Sequence, residues 1–545
     1  MSIPLLPRCL VLAAVVVVGG PQEQTPPQLA LVNARVFTGV EARPWAGALA
    51  TSGERIAAVG TTSEIRKLAG QSTRVIDLGG RLVVPGFNDA HTHPEALPEA
   101  VRLEGPPALQ QDPTLDEILK RLKTAVAQSR PDGWIFGEIG AAVLDDPGAT
   151  RLALDAVAPD RLVMLTAWTG HGTLFNSAAL RRLGVGDNEP DPPGGFYRRM
   201  PDGKTLSGIA QEYAEFRLRQ RVAMQAGPAA QLAAFRQFAD EAVAFGITSI
   251  QAMMTSMPTA EAAKLLSPAE LPVRVRLIDF PMTNVSAWRA PPERPGPSSR
   301  LTVSGTKWIV DGTPVERLMF LREPYADRNV RGRANYSGSD LQPFLERALK
   351  AREQPMLHAV GDAAIDLVLT ALEASGGETW RRLRPRLEHG DMLRRDHFDR
   401  ARRLGVVLVQ NPSHFMIPQI MKPRLGAARL AVNQAVKSSS RAGIPLALGS
   451  DGPLNPSLNV MFAITHANNP AEALTRGQAV AAYTHGAAFA EFQEEAKGRI
   501  VPGMLADIAV LSQDIFKVPP DALPATTSVL TIVGGRIVHE SPREK

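Results

Sequence analysis

The chain has 545 residues, 44% of them hydrophobic and 21% charged, with 45 Gly and 45 Pro. That is long enough for a sizeable core and more than one domain, and the composition excludes a disordered or fibrous protein. The net charge of +5 is small, and stretches such as "RLRPRLEHGDMLRRDHFDRARR" mix both signs, so solvated helix faces explain the basic residues better than a nucleic-acid footprint does.

The first residues read "MSIPLLPRCLVLAAVVVVGG". Arg8 gives a positive start, Cys9 to Val18 an apolar run, and Val18-Gly19-Gly20 a small-residue cleavage site. Residues 1–20 are therefore expected to be a secretory signal peptide, with the mature protein exported to the periplasm or beyond the cell. The apolar run is shorter than the about 20 residues a spanning helix needs, and no later stretch is long and uncharged enough, so no membrane insertion is expected. Cys9 is the only cysteine. No disulfide framework, thiol nucleophile or thiolate metal site is expected after cleavage. Polar, proline-rich residues 21–28 read as a linker.

Strand-like runs follow: "LALVNARVFTG", "ALATSGERIAAVG" and "TRVIDLGGRLVVPG", rich in β-branched residues and interrupted by glycine turns. The far end matches them, with "LADIAVLSQD" and "TSVLTIVGGRIVHE". Residues 29–85 and 498–545 are expected to build one small β-sandwich from both chain ends.

Between them, apolar strands alternate with helical patterns, which argues for an α/β fold with a parallel sheet. Eight strand candidates are present: "RLVVPGFNDAHTH", "GITSIQAM", "VRVRLIDF", "GTKWIVDG", "PMLHAVG", "RPRLEHG", "GVVLVQNPSH" and "IPLALGSDG". They predict a (β/α)8 TIM-like barrel over 86–497. Roughly 150 residues separate the first two candidates, too many for a plain loop. An inserted subdomain at about 95–240, with its own helix "TLDEILKRLKTAVAQS" and strands "GWIFGEIG" and "DRLVMLTAW", is expected to cap the barrel mouth.

Chemistry in such a barrel sits at the C-terminal ends of the strands. Those ends carry His91 and His93, then Lys307 and Asp311, His358, His389, His414 just past the seventh, and Asp451. Of ten histidines in the chain, five fall there, which a random scatter would not produce. On a strand, positions i and i+2 share a side, so His91 and His93 can aim two imidazoles at one point. Neutral imidazoles and carboxylates suit zinc and similar ions, and two such ions about 3.5–4 Å apart can clamp one water. A lysine ammonium offers only donors, so Lys307 can join as a ligand only as a carbamate, formed with CO₂.

"PGFNDAHTH", "HAVGD", "RLEHG", "ALGSDGP" and "KGRIVPGMLADIAVLSQD" resemble the metal-dependent amidohydrolase superfamily. More narrowly they resemble its amidohydrolase-3 branch, which includes N-substituted formamide deformylase. "HGTLFNSAAL" and "GGFYRRMPDGKTLSGIAQEYA" resemble elements of that branch, with Glu212 at the acidic position, which the resemblance makes a substrate-binding residue. The resemblance implies that His91, His93 and Asp451 ligate a first metal, that His358 and His389 ligate a second, and that carbamylated Lys307 bridges two zinc ions. It makes Asp451 the general base as well, and His171 and His414 substrate or oxyanion contacts. Arg317 stands at the place of a substrate-binding arginine in "DGTPVERLMF", although Val315 and Leu318 replace the branch's Gly and Thr, "GDAA" departs from its Gly-Asp-Arg, and "SIQAMM" lacks an aspartate common there.

The expected activity is hydrolysis of a non-peptide carbon–nitrogen bond, in an amide, formamide or cyclic amide, by metal-activated water. The expected partner is a small-molecule substrate, without nucleic acid, and a homo-oligomer is compatible with the sequence. Two alternatives stand beside it: a single-metal deaminase of the same superfamily, disfavoured by Lys307, and a non-catalytic secreted binding protein, disfavoured because all six candidate ligand positions hold competent residues.

Overall fold

The computed structural model describes residues 26–282 and 300–542. The expected signal peptide lies outside the described residues. Eight parallel strands run in sequence order through one sheet: Phe87–Thr92, Ile247–Met253, Arg274–Asp279, Leu301–Ile309, Pro355–Ala359, Arg386–His389, Val407–Gln410 and Leu446–Leu448. Seven fall inside the expected runs, and the fourth begins four residues before its run "GTKWIVDG", at Leu301. Helices pack outside with apolar spacing that matches their turns. Gly338–Ala351 buries Leu341, Phe344, Leu345 and Ala348, and its start is fixed by a reciprocal cap between Ser337 and Asp340.

The seam between the eighth strand and the first has no regular ladder. It is drawn together by the Asp451 amide donating to the His91 carbonyl at 2.9 Å, and by Asp89. The buried Asp89 carboxylate accepts from the Ser450 amide at 2.8 Å, the Tyr483 hydroxyl at 2.8 Å and the His91 amide at 3.2 Å. Gly449 is required at this seam, because a Cβ there would lie 2.5 Å from the His91 nitrogen.

The long gap after the first strand holds a six-stranded sheet, ordered Gly195–Arg199, Leu206–Glu212, Gly172–Phe175, Leu162–Ala167, Trp134–Ile139 and Ala100–Arg102. Helix Leu115–Gln128 covers it, burying Leu115, Ile118, Leu122 and Ala125 behind a Thr114–Glu117 capping box.

The chain ends form two sheets rather than one mixed set. A four-stranded sheet, ordered Arg55–Gly60, Ala48–Ser52, Leu29–Val32 and Arg74–Asp77, is entirely N-terminal. A six-stranded sheet joins both ends, ordered Arg536–Glu540, Ser528–Val533, Ile508–Leu511, Leu82–Pro85, Arg35–Phe37 and Trp45–Ala46. The expected Gly-Gly hairpin is present: Gly534 and Gly535 both have positive φ, +56° and +72°, as a tight primed turn demands. Leu31, Leu49, Val83, Ile508 and Ile532 share one apolar cluster that spans the two sheets. No helix among the described residues is long and apolar enough to cross a membrane.

Candidate metal centre

Eight of the ten expected site residues, His91, His93, His171, Lys307, His358, His389, His414 and Asp451, line one cavity at the C-terminal mouth of the barrel. Its volume is about 510 Å³, and Trp168, Phe216, Phe280 and Val315 supply apolar wall. The insertion thus contributes both a histidine and an aromatic wall to the mouth.

The shared side of His91 and His93 brings their Nε2 atoms to 3.2 Å. Asp451 Oδ1 lies 3.3 Å from His93 Nε2 and 3.9 Å from His91 Nε2. Its other oxygen, Oδ2, lies 3.8 Å from His389 Nδ1 and 3.7 Å from His414 Nε2. Asp451 therefore joins two triads able to hold an ion: His91–His93–Asp451 and His389–His414–Asp451. The second differs from the implied His358–His389 pair. His414 enters because residues Pro412–Met416 turn back over the mouth after the seventh strand. His358 sits beside it, its ring 4.4 Å from that of His389 and 4.7 Å from that of His171.

Lys307 is buried, with Nζ 3.2 Å from His91 Nε2. Burial pushes its amine down to about 8, against the pull of Glu388 and Asp451. Burial also lowers His91, to about 4, with Lys307 adding to the effect. His358 and His389 fall well below the usual range for the same first reason, helped by neighbouring imidazoles. These rings are neutral at neutral pH, the form in which imidazole ligates. Burial would raise Asp451, but His91, His414 and His93 hold it well below the usual carboxylate range.

The donor set fits a divalent metal by its chemistry and by what it leaves unmade. Among the described residues, His358 Nε2 and His389 Nδ1 are buried without a hydrogen-bond partner, which buried polar atoms rarely tolerate. Glu388 Oε2 accepts from His91 Nδ1 at 2.6 Å, so the lone pair of Nε2 faces the cluster.

Two further dyads overlook the cavity. His171 Nδ1 lies 3.1 and 3.2 Å from the Glu212 oxygens, and Asn335 donates to Glu212 at 2.9 Å. Burial opposes charge on His171, yet Glu212, with Glu316 and Glu215 behind it, raises it to about 9. His414 Nδ1 lies 3.3 Å from Asp391 Oδ2; burial opposes its charge too, and Asp391 with Asp451 raises it to about 10.

Arg317 is placed differently from the expectation. It does not line the cavity, and its guanidinium is committed to Asp145 and, at 2.8 Å, to Asp327. Arg424 grips the same two aspartates and the carbonyls of Pro314 and Val315. This ionic knot pins the loop whose Thr313, Pro314 and Val315 form cavity wall. Glu212 likewise lies behind His171, outside the lining.

His389, Asp451, Glu212 and Arg317 all have positive φ, between +41° and +67°. Non-glycine residues adopt this region at a cost, and such strain gathers at functional sites. Sequence reasoning missed Glu388, Asp391 and Asn335 as supporting residues. A signal for the first was present: "RPRLEHG" puts two opposite charges into a strand expected to be buried on both faces.

The sequence profile of the Amidohydrolase family matches residues 74–539. The chain is 28% identical over 548 residues to N-substituted formamide deformylase of Arthrobacter pascens, covering 94% of this chain and 98% of that protein. It is also 28% identical over 561 residues to Protein LONG AFTER FAR-RED 3 of Arabidopsis thaliana, covering 94% and 93%. The fold is similar to that of an uncharacterized metal-dependent hydrolase from Pyrococcus furiosus, with a TM-score of 0.68 at 23% identity over 90% of this chain and all of that one. With the profile spanning most of its length, the chain belongs to the amidohydrolase family.

Proposed function

We propose that this protein hydrolyses a non-peptide carbon–nitrogen bond, in an amide, formamide or cyclic amide, at a centre of two zinc ions. The observation that carries the reading is the convergence of four histidines, Lys307 and Asp451 on one cavity, with one Asp451 oxygen facing His91 and His93 and the other facing His389. The name of the formamide deformylase relative agrees with the bond class. His91, His93, Lys307, His358, His389 and Asp451 would hold the ions, Lys307 as a carbamate. The lowered pKa of its amine supports this, since only a neutral amine reacts with CO₂. Bound divalent ions supply Lewis acidity, which polarises a carbonyl and makes water a better nucleophile at neutral pH.

The chain's own residues do the remaining work. Asp451 takes the proton released by the attacking water and returns it to the departing amine. His171, charged through Glu212, presents its other nitrogen to the oxygen that gains negative charge. His414, held by Asp391, fixes Asp451 Oδ2. Trp168, Phe216 and Phe280 exclude water and hold the substrate's apolar part. Arg317 acts on substrate through the wall loop it pins.

One observation keeps the single-metal deaminase in view: His91, His93 and Asp451 form a complete triad without Lys307, whose bare amine reaches His91. The test is a hydrolysis screen of purified, zinc-loaded protein across N-formyl amines, N-acyl amines, lactams, esters and amino-substituted heteroaromatics. Amine release or ring opening of a C–N substrate is expected. Ammonia release from amino-heteroaromatics alone would support the deaminase, and ester cleavage alone would contradict the proposed bond class.

We also propose export, supported by Arg8 and the apolar run after it. Exported protein should begin near residue 21 on N-terminal sequencing, and a cytosolic protein starting at Met1 would oppose this.

A further inference from the structure

We propose that Arg386 and Glu388, buried inside the barrel beneath the metal centre, form a positioning pair that aims His91 and tightens metal binding. The inference rests on the metal-dependent reading above. Arg386 and Glu388 stand two apart on the sixth strand, so both side chains point into the barrel. His389 would by alternation point outward; its φ of +67° turns it to the mouth instead. One short strand thus supplies a cluster histidine and the support for another.

The grip on His91 has two points. Arg386 holds both Glu388 oxygens, Nε to Oε1 at 2.6 Å and Nη2 to Oε2 at 3.1 Å, and Oε2 is the atom that accepts from His91 Nδ1 at 2.6 Å. The same Arg386 Nη2 donates at 2.7 Å to the carbonyl of Ala90, the residue preceding His91. The guanidinium therefore fixes the backbone beside His91 and, through Glu388, its ring. The Gln251 side chain accepts from Arg386 Nη1 and, at 3.3 Å, from Arg276, which keeps the guanidinium in place. All of these side chains are buried.

A purely structural role explains this less well. A buried ion pair adds little stability over apolar residues of the same shape, so stability alone gives no reason to build one on the barrel axis. The contrast with His93 also favours positioning. Among the described residues His93 Nδ1 meets only the Thr255 hydroxyl, at 3.3 Å, and its side chain is 35% exposed. Of the two histidines of the His-x-His pair, only His91 is held from behind by a charge.

The test measures zinc affinity of the full-length protein by competition with a chromophoric chelator, with folding checked by circular dichroism. Glu388→Gln keeps the shape but weakens the acceptor, and should weaken zinc binding about 10–100-fold. Adding Arg386→Met to it should cost less than Arg386→Met costs alone, because part of the arginine's effect on His91 runs through Glu388. Arg386→Lys, the milder change, keeps the charge but loses the two-point grip and should weaken zinc several-fold; it decides the matter if Glu388→Gln does not fold. Wild-type zinc affinity in a folded Glu388→Gln or Arg386→Lys protein would overturn the positioning role alone. No zinc binding by the wild-type protein would overturn the metal reading together with it.

Discussion

At the scale of single residues, the site depends on Asp451, among the described residues the one carboxylate within reach of histidines from the first, sixth and seventh strand ends. Asp451→Asn is nearly isosteric but cannot accept a proton at neutral pH. It should keep the fold and most of the metal while lowering kcat about 10²–10⁴-fold, as loss of a general base does. Steady-state kinetics with metal analysis of the same sample checks this, and wild-type turnover would remove Asp451 from the role. The residues that were legible in the sequence were those whose direction follows from local geometry. His91 and His93 share a side because strands repeat every two residues, and Lys307, His358 and His389 lie on strand ends. Arg317 was not legible. A long side chain in a loop can turn to the cavity or to Asp145 and Asp327, and the choice is made by Arg424, more than 100 residues away in sequence. Asp391 looked like any loop acid until His414 folded onto it.

At the scale of elements, the barrel strands were readable because each is an apolar run bounded by turn residues. Their closure was not readable. It depends on Asp89, which joins the first strand to Ser450 and Tyr483 across more than 350 residues of chain. Asp89→Ala would leave three buried donors without their acceptor and is expected to cost about 3 kcal/mol or more. Urea unfolding should show the loss, and since the seam positions both His91 and Asp451, metal affinity should fall with it. An Asp89→Ala protein as stable as wild type would mean that the seam is held by packing alone. The insertion's helix and two of its strands were likewise visible in a helical run and two apolar runs. That its sheet would send His171 and Trp168 into the cavity was implied by resemblance for the first and not foreseen for the second.

At the scale of the whole molecule, strands from both chain ends share one sheet, with Ile508–Leu511 paired to Leu82–Pro85 directly before the first barrel strand. Removing residues 498–545 would strip the partner from Leu82–Pro85 and expose Leu31, Leu49 and Val83. The truncated protein should aggregate, as judged by size-exclusion chromatography; a soluble, active one would show that the ends fold independently. The sequence predicted one shared β unit. It did not predict that four of the N-terminal strands would make a sheet of their own, because pairing order is set by tertiary contacts and not by strand propensity.

The whole site is designed around metal, so the most direct measurement is a zinc titration of metal-free protein, wild type and Lys307→Ala side by side, reading bound zinc per chain and hydrolysis rate together. The wild type should take two zinc ions and gain its activity with them. Lys307→Ala should hold less of both and stay nearly inactive, with partial rescue by short carboxylic acids or bicarbonate that replace the missing bridge. Hydrolysis by the wild type without metal, or two zinc ions and full activity in Lys307→Ala, would contradict the account.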